Sequence, residues 1–173
     1  MNRSTKPFQK IIVAYDDSPA ARQALSVGIE LCKILDAPLQ TVTVIEPPPA
    51  YSAFVVVANS DVAQDLESDR RQRYQEIMES AVAEGNRHSI KVTGHLLEGN
   101  EVERVVSFLR AREADLLMIG LPQHSSHISR LWSTVANLEQ NAPCSVLAIR
   151  ALSDRVVGQR LFDEERTHSV SQL

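Results

Sequence analysis

The side chains best suited to chemistry lie around one apolar run and the polar loop after it. Leu116-Leu117-Met118-Ile119 reads as a strand that stops at Gly120, and a loop containing His124-Ser125-Ser126-His127 follows. Ser133-Thr134 then reads as the opening of a helix. A strand that ends at glycine and passes through a loop into a helix N-terminus can hold an anion or a nucleotide. The glycine lets backbone approach a phosphate, and the amides of the first helical turn have no internal partner. His124 and His127, three residues apart, offer two metal ligands on one helical face. Nothing nearby supplies a third, and a catalytic zinc usually needs three, so no metal site is expected. The Ser/His pairing in the same loop lacks a strained nucleophile elbow and an orienting acid. Neither Gly-x-Gly-x-x-Gly nor Gly-x-x-x-x-Gly-Lys-Ser/Thr occurs. No catalytic residue is assigned, and the sequence leans away from an enzyme.

The elements that must position this loop follow from periodicity. Lys10 to Tyr15 is short, apolar and β-branched, as in a strand buried on both faces. It ends at Asp16-Asp17-Ser18-Pro19, where Ser18 suits an N-cap and Pro19 a first helical position. Ala21, Ala24, Leu25, Leu31, Cys32 and Leu35 then recur at helical spacing. A second strand spans Leu39 to Ile45, and Pro47-Pro48-Pro49 begins a long loop over residues 47–60. Asp61 to about Gly85 is expected to be a helix with Leu66, Tyr74, Ile77, Met78, Ala81 and Val82 inward. Gly85-Asn86 suits its stop, and Asp69-Arg70-Arg71-Gln72-Arg73 its solvated face. A third strand is expected from Ser89 to Leu97, a helix marked by Val102, Val105, Val106 and Leu109, the Leu116–Ile119 strand, a short helix from Ser133 to about Asn141, and a last strand from Ser145 to Arg150. Strands alternating with helices predict an α/β domain with a parallel sheet and helices on both faces. The division expected is a frayed N-terminus over residues 1–8, one α/β domain over 9–150, and a charged C-terminal extension over 151–173.

The bulk numbers narrow the function. The chain has 173 residues, 43% of them hydrophobic, enough for one domain with a core of its own. A net charge of −4 and an isoelectric point near 5.7 argue against nucleic acid or an anionic membrane as a partner. No apolar run approaches the roughly 20 residues that span a bilayer, and MNRSTKPFQK has no apolar signal core behind it. Cys32 and Cys144 lack metal spacing and read as two reduced core thiols. A cytoplasmic location is expected.

Three stretches together carry a family likeness: the opening KIIVAYDDSPAARQAL, the ADLLMIG strand, and the closing APCSVLAIR. They resemble the universal stress protein family over roughly residues 8–150. The resemblance implies a five-stranded parallel sheet in the order 3-2-1-4-5, a Rossmann-like arrangement, and a homodimer formed through the last strand. That strand carries Val146, Leu147, Ala148 and Ile149, and an apolar edge left bare invites such pairing. Strands 1 and 4 are then neighbours whose connections diverge, so Asp16 comes beside Gly120 at a switch-point crevice.

The family's ATP-binding branch carries Gly-x-x-Gly, nine residues, then Gly-Ser/Thr. Here the first position is Gly120, the second Gln123, the third Ser133, and the hydroxyl Thr134, with His124 to Trp132 between. The spacing survives with one glycine of the three. Gln123 and Ser133 each add a Cβ where backbone would approach phosphate. The resemblance implies a cofactor-binding set of Ala14, Tyr15, Asp16, Val44, Ile119, Gly120, Gln123, Ser133, Thr134 and Val135. Within it, Ala14, Tyr15, Val44 and Ile119 wall the base, and Asp16 meets the sugar or adenine side or else serves only as a turn and cap residue. Asp17 adds charge that a triphosphate tolerates only with a metal ion. Trp132 either fills the nucleotide hollow or packs beneath the helix. Two expectations stand side by side. One is a stress-response regulator with lost or weakened ATP binding that works through protein partners. The other is an ATP- or AMP-binding regulator, with Mg²⁺, using the Asp16–Gly120–Thr134 crevice.

Overall fold

The computed structural model describes residues 7–47, 60–121 and 128–150, with side chains from Gln64 in the second helix and from Thr134 in the fourth. The elements are β1 (Ile11–Ala14), α1 (Pro19–Leu35), β2 (Leu39–Ile45), α2 (Ser60–Arg87), β3 (Val92–Glu98), α3 (Glu101–Arg112), β4 (Leu116–Leu121), α4 (Ile128–Asn141) and β5 (Ser145–Arg150). All pairings are parallel and the sheet order is β3-β2-β1-β4-β5. The expected α/β class and strand order are both present.

The layering follows from crossover handedness. Two right-handed crossovers run outward from β1 to β3 and two run the other way, so each pair of helices takes one face. In β1, Ile11 and Val13, with Tyr15 just beyond, pack under α1 and α2 in one core. Ile12 and Ala14 face the other core, with Val42, Val105, Leu109, Leu117, Ile119 and Leu138. Strands buried on both faces read as continuous apolar runs, which is why they were legible. Ser18 caps α1 by accepting from the Ala21 amide at 3.1 Å, and Pro19 stands at its first turn.

Several expectations need correction. Phe8, placed in the frayed end, packs against the α1/α2 core, and Asp115 accepts from the Gln9 and Lys10 amides. Leu66, placed on the inner stripe of α2, is 55% exposed. Gly85 does not stop α2, which continues to Arg87. Its role is close approach: a Cβ there would lie 2.2 Å from Val92 Cγ2. β3 consequently starts at Val92 rather than Ser89, whose φ of 58° belongs to the turn. The Asp69–Arg73 run is not wholly solvated. Arg70 donates to the Glu46 carbonyl at the end of β2, and Arg71 pairs with Glu98 at the end of β3. Most of the 47–60 loop and all of residues 1–6 and 151–173 lie outside the described residues.

Candidate functional site

The carboxyl ends of β1, β2 and β4 surround a cavity of about 160 Å³. Each wall has a local cause. β1 gives Ala14, and the Tyr15 amide then donates to the Val42 carbonyl at 2.9 Å, holding the chain parallel to β2 for one further residue. There the chain turns. Asp16 Oδ1 accepts from the Ser18 amide at 3.0 Å, and Asp17 takes a left-handed φ of 62°. β2 contributes Val42, Thr43 and Val44. Thr43 is buried, and its hydroxyl donates to the Tyr15 carbonyl at 2.8 Å, locking β2 to the turn. β4 contributes Ile119 and Gly120, α4 contributes Thr134, Val135 and Leu138, α3 contributes Glu101 and Val105, and α2 contributes Tyr74.

Eight of the ten expected site residues therefore meet in one cavity: Ala14, Tyr15, Asp16, Val44, Ile119, Gly120, Thr134 and Val135. Gln123 lies outside the described residues, as do His124 and His127, and the side chains of Trp132 and Ser133 are likewise outside them. Tyr15 needs correction as a base wall. Its ring belongs to the α1/α2 core, where its hydroxyl donates to Asp17 Oδ1 at 2.8 Å and lies 3.2 Å from Ser80 Oγ. Burial is the main reason this phenol is held above its usual range. Asp17 also faces away from the cavity, toward Tyr15 and Arg22, so it adds no charge where a phosphate would lie. Asp16 acts as a turn residue, and it lines the cavity as well.

The anion loop needs the largest correction. Ser133 and Thr134 do not open a helix, because α4 begins at Ile128. In the sequence Ile128 and Leu131 before the Ser-Thr pair and Val135 and Leu138 after it recur at helical spacing, a pattern that continues through the capping signal. The amides of Ser133 and Thr134 thus fall in the second turn, where the helix itself uses them. Gly120 is needed for packing. A Cβ there would lie 2.2 Å from the Ala20 carbonyl carbon and 2.6 Å from the Ala21 amide, inside the first turn of α1.

A sequence pattern describing the universal stress protein family matches residues 7–150. The chain belongs to the universal stress protein family. It is 27% identical over 147 residues to universal stress protein A homolog 1 of Coxiella burnetii, covering 82% of this chain and 96% of that one. Two solved structures share the fold. A universal stress protein from Archaeoglobus fulgidus in complex with dAMP has a TM-score of 0.59 at 18% identity, covering 83% of this chain and 98% of its own. A universal stress family protein from Arabidopsis thaliana with AMP bound has a TM-score of 0.61 at 16% identity, covering 85% and 94%.

In this universal stress protein the described wall of the crevice is acidic. Its cavity carries two acidic residues, Asp16 and Glu101, and no Lys or Arg among the described lining residues. Sequence reasoning missed Glu101 and Tyr74, because each comes from an element remote from the loop and no local motif marks it. Val42 was findable, since it shares a strand face with Val44. The thiols offer no nucleophile. Burial pushes Cys32 up to about 11 and raises Cys144, which is half-buried rather than fully in the core. No group of three metal-ligating side chains occurs among the described residues, and no helix among them is long and apolar enough to cross a membrane.

Proposed function

We propose that this universal stress protein is a cytoplasmic, homodimeric regulator. Its β1/β4 cavity takes an adenine nucleoside or nucleoside monophosphate, and its binding of ATP is lost or weakened. The observation that carries the reading is the cavity itself. Val42, Val44, Val105, Ile119 and Leu138 form an apolar slot for a flat base, and Asp16 at its rim offers acceptors to amino or hydroxyl groups. The dAMP and AMP bound by the two fold neighbours are ligands of this class. Weak ATP binding follows from three features. Two glycines of the phosphate loop are replaced by Gln123 and Ser133. The amides of Ser133 and Thr134 are committed within α4. The described lining supplies no cation to offset a triphosphate.

The dimer is proposed on β5. Among the described residues it pairs only with β4, and Leu147 on it is 39% exposed, which supports pairing of this apolar edge with a second copy. Thermal unfolding of nucleotide-free protein tests the ligand reading. AMP at about 100 times its dissociation constant adds roughly 2.7 kcal/mol, a rise of roughly 5–10 °C for a chain of this size. No rise with millimolar AMP or adenosine would overturn it. Light scattering tests the dimer, which a monomeric mass would refute.

A further inference from the structure

Among the described residues that line the cavity, the aromatic side chains are Tyr15 and Tyr74. The Tyr15 ring is committed to the α1/α2 core, with its hydroxyl on Asp17 and Ser80. Tyr74 is half-buried and comes from α2, whose residues Ile77, Ala81 and Val82 belong to that same core. Tyr74 thus meets the cavity from the layer opposite to its aliphatic wall of Val105, Ile119 and Leu138. The helix is held to the sheet on either side of this residue. One turn earlier, Arg70 donates to the Glu46 carbonyl just past β2, and the Glu67 carboxylate accepts from Arg70 Nη2 at 2.7 Å. Beside it, Arg71 pairs with Glu98 at the end of β3. One turn later, Met78 lies over Gly94 of β3. A Cβ on Gly94 would come 2.6 Å from Met78 Cγ, so the missing side chain lets α2 settle close to the sheet. Arg70, Tyr74 and Met78 follow at four-residue spacing, which places them along one face of the helix. Tyr74 is therefore bracketed by two contacts that fix where it stands at the strand ends.

Resting on the nucleotide reading above, we infer that Tyr74 is the residue that stacks on the base. An aromatic ring on one side and branched aliphatic side chains on the other suit a flat π-system. The stacked area grows with the base, so the cavity takes a purine in preference to a pyrimidine. The phenol hydroxyl is not required.

The test is isothermal titration of AMP and of CMP into the full chain, for wild type, Tyr74→Phe, Tyr74→Leu and Gln75→Leu. AMP and CMP carry the same sugar and phosphate, so the ratio of their affinities isolates the base. Gln75 is the next residue of the helix, is exposed and does not line the cavity, so it controls for a leucine placed in this turn. Expected in Tyr74→Leu is AMP binding weakened roughly tenfold, with a smaller preference for AMP over CMP. Tyr74→Phe and Gln75→Leu should stay with wild type. Unchanged AMP binding in Tyr74→Leu, an equal loss in Tyr74→Phe, or a loss that leaves the AMP to CMP ratio untouched overturns the inference. If Tyr74→Leu does not fold, equal wild-type affinity for AMP and CMP overturns it. Wild type that binds neither overturns the nucleotide reading itself, a different result from wild type that binds AMP and is indifferent to Tyr74→Leu.

Discussion

Gly120 separates a ligand-binding glycine from a packing glycine, and Gly120→Ala decides between them. An added Cβ would lie 2.2 Å from the Ala20 carbonyl carbon, 2.4 Å from the Ala20 oxygen and 2.6 Å from the Ala21 nitrogen. Ordinary carbon contacts begin near 3.4 Å, so α1 or β4 must retreat by about 1.2 Å, the difference between 3.4 and 2.2. Neither can yield alone. Ala20, Ala21 and Ala24 of α1 are buried on the sheet, and β4 lies hydrogen-bonded between β1 and β5. Overpacking of this kind costs roughly 1–3 kcal/mol, and backbone on the far side puts it near the top of that range, about 3 kcal/mol. For a domain of this size the melting temperature falls by roughly 6–12 °C. Circular dichroism melting of ligand-free protein, with a urea titration alongside, measures it. If the glycine served only a phosphate, the ligand-free variant would melt with wild type. A drop under about 2 °C would therefore refute the packing argument.

Two neighbouring threonines on β2 should respond with opposite signs. Thr43→Val removes the donor to the Tyr15 carbonyl and should destabilise by about 2 kcal/mol, lowering the melting temperature by roughly 4–8 °C. Thr41 is fully buried and its hydroxyl has no hydrogen-bond partner, so Thr41→Val should stabilise by about 1 kcal/mol. Equal effects in the two melts would refute the assignment. His95 lies 4.7 Å from the Phe108 ring, with Arg112 on the same ring and Gln40 Oε1 2.9 Å from its Nε2. Burial first, then the Arg112 charge, lowers its pKa below the usual value of 6.5. The folded state thus favours neutral imidazole. Its contribution is fully present above 6.5 and is lost as pH falls through 6.5 toward the folded value. Urea titrations from pH 7.5 down to about 5 should show a loss of stability that His95→Gln reduces, and equal losses in both proteins would refute it.

How far the sequence could be read depended on where the information lay. The β strands were legible because burial on both faces leaves unbroken apolar runs, as in Ile11–Val13 and Leu116–Ile119. The Asp16–Gly120 crevice was legible because topology alone brings those strand ends together. The start of α4 differs from the sequence reading, since Ser133-Thr134 is a strong local capping signal while the helix begins at Ile128, where no comparable cap residue stands. Leu66 was misassigned because periodicity marks a stripe along a helix but not how far along it that stripe is buried. Tyr74 and Glu101 carried no signal, because only the packing of α2 and α3 around the strand ends brings them to the cavity.

The sheet also acts as a partition. Ile11 and Val13, with Tyr15 beyond them, answer to α1 and α2, while most of the apolar cavity wall belongs to the layer of α3 and α4. Substitutions on opposite sides share few partners, so their energetic effects should largely add. Exchange of Val105 or Leu138 reshapes the apolar part of the slot within the α3/α4 layer, whereas from the other layer Tyr15, Ala20, Ala21 and Tyr74 reach the cavity. A fold divided in this way can keep its outline at 16–18% identity.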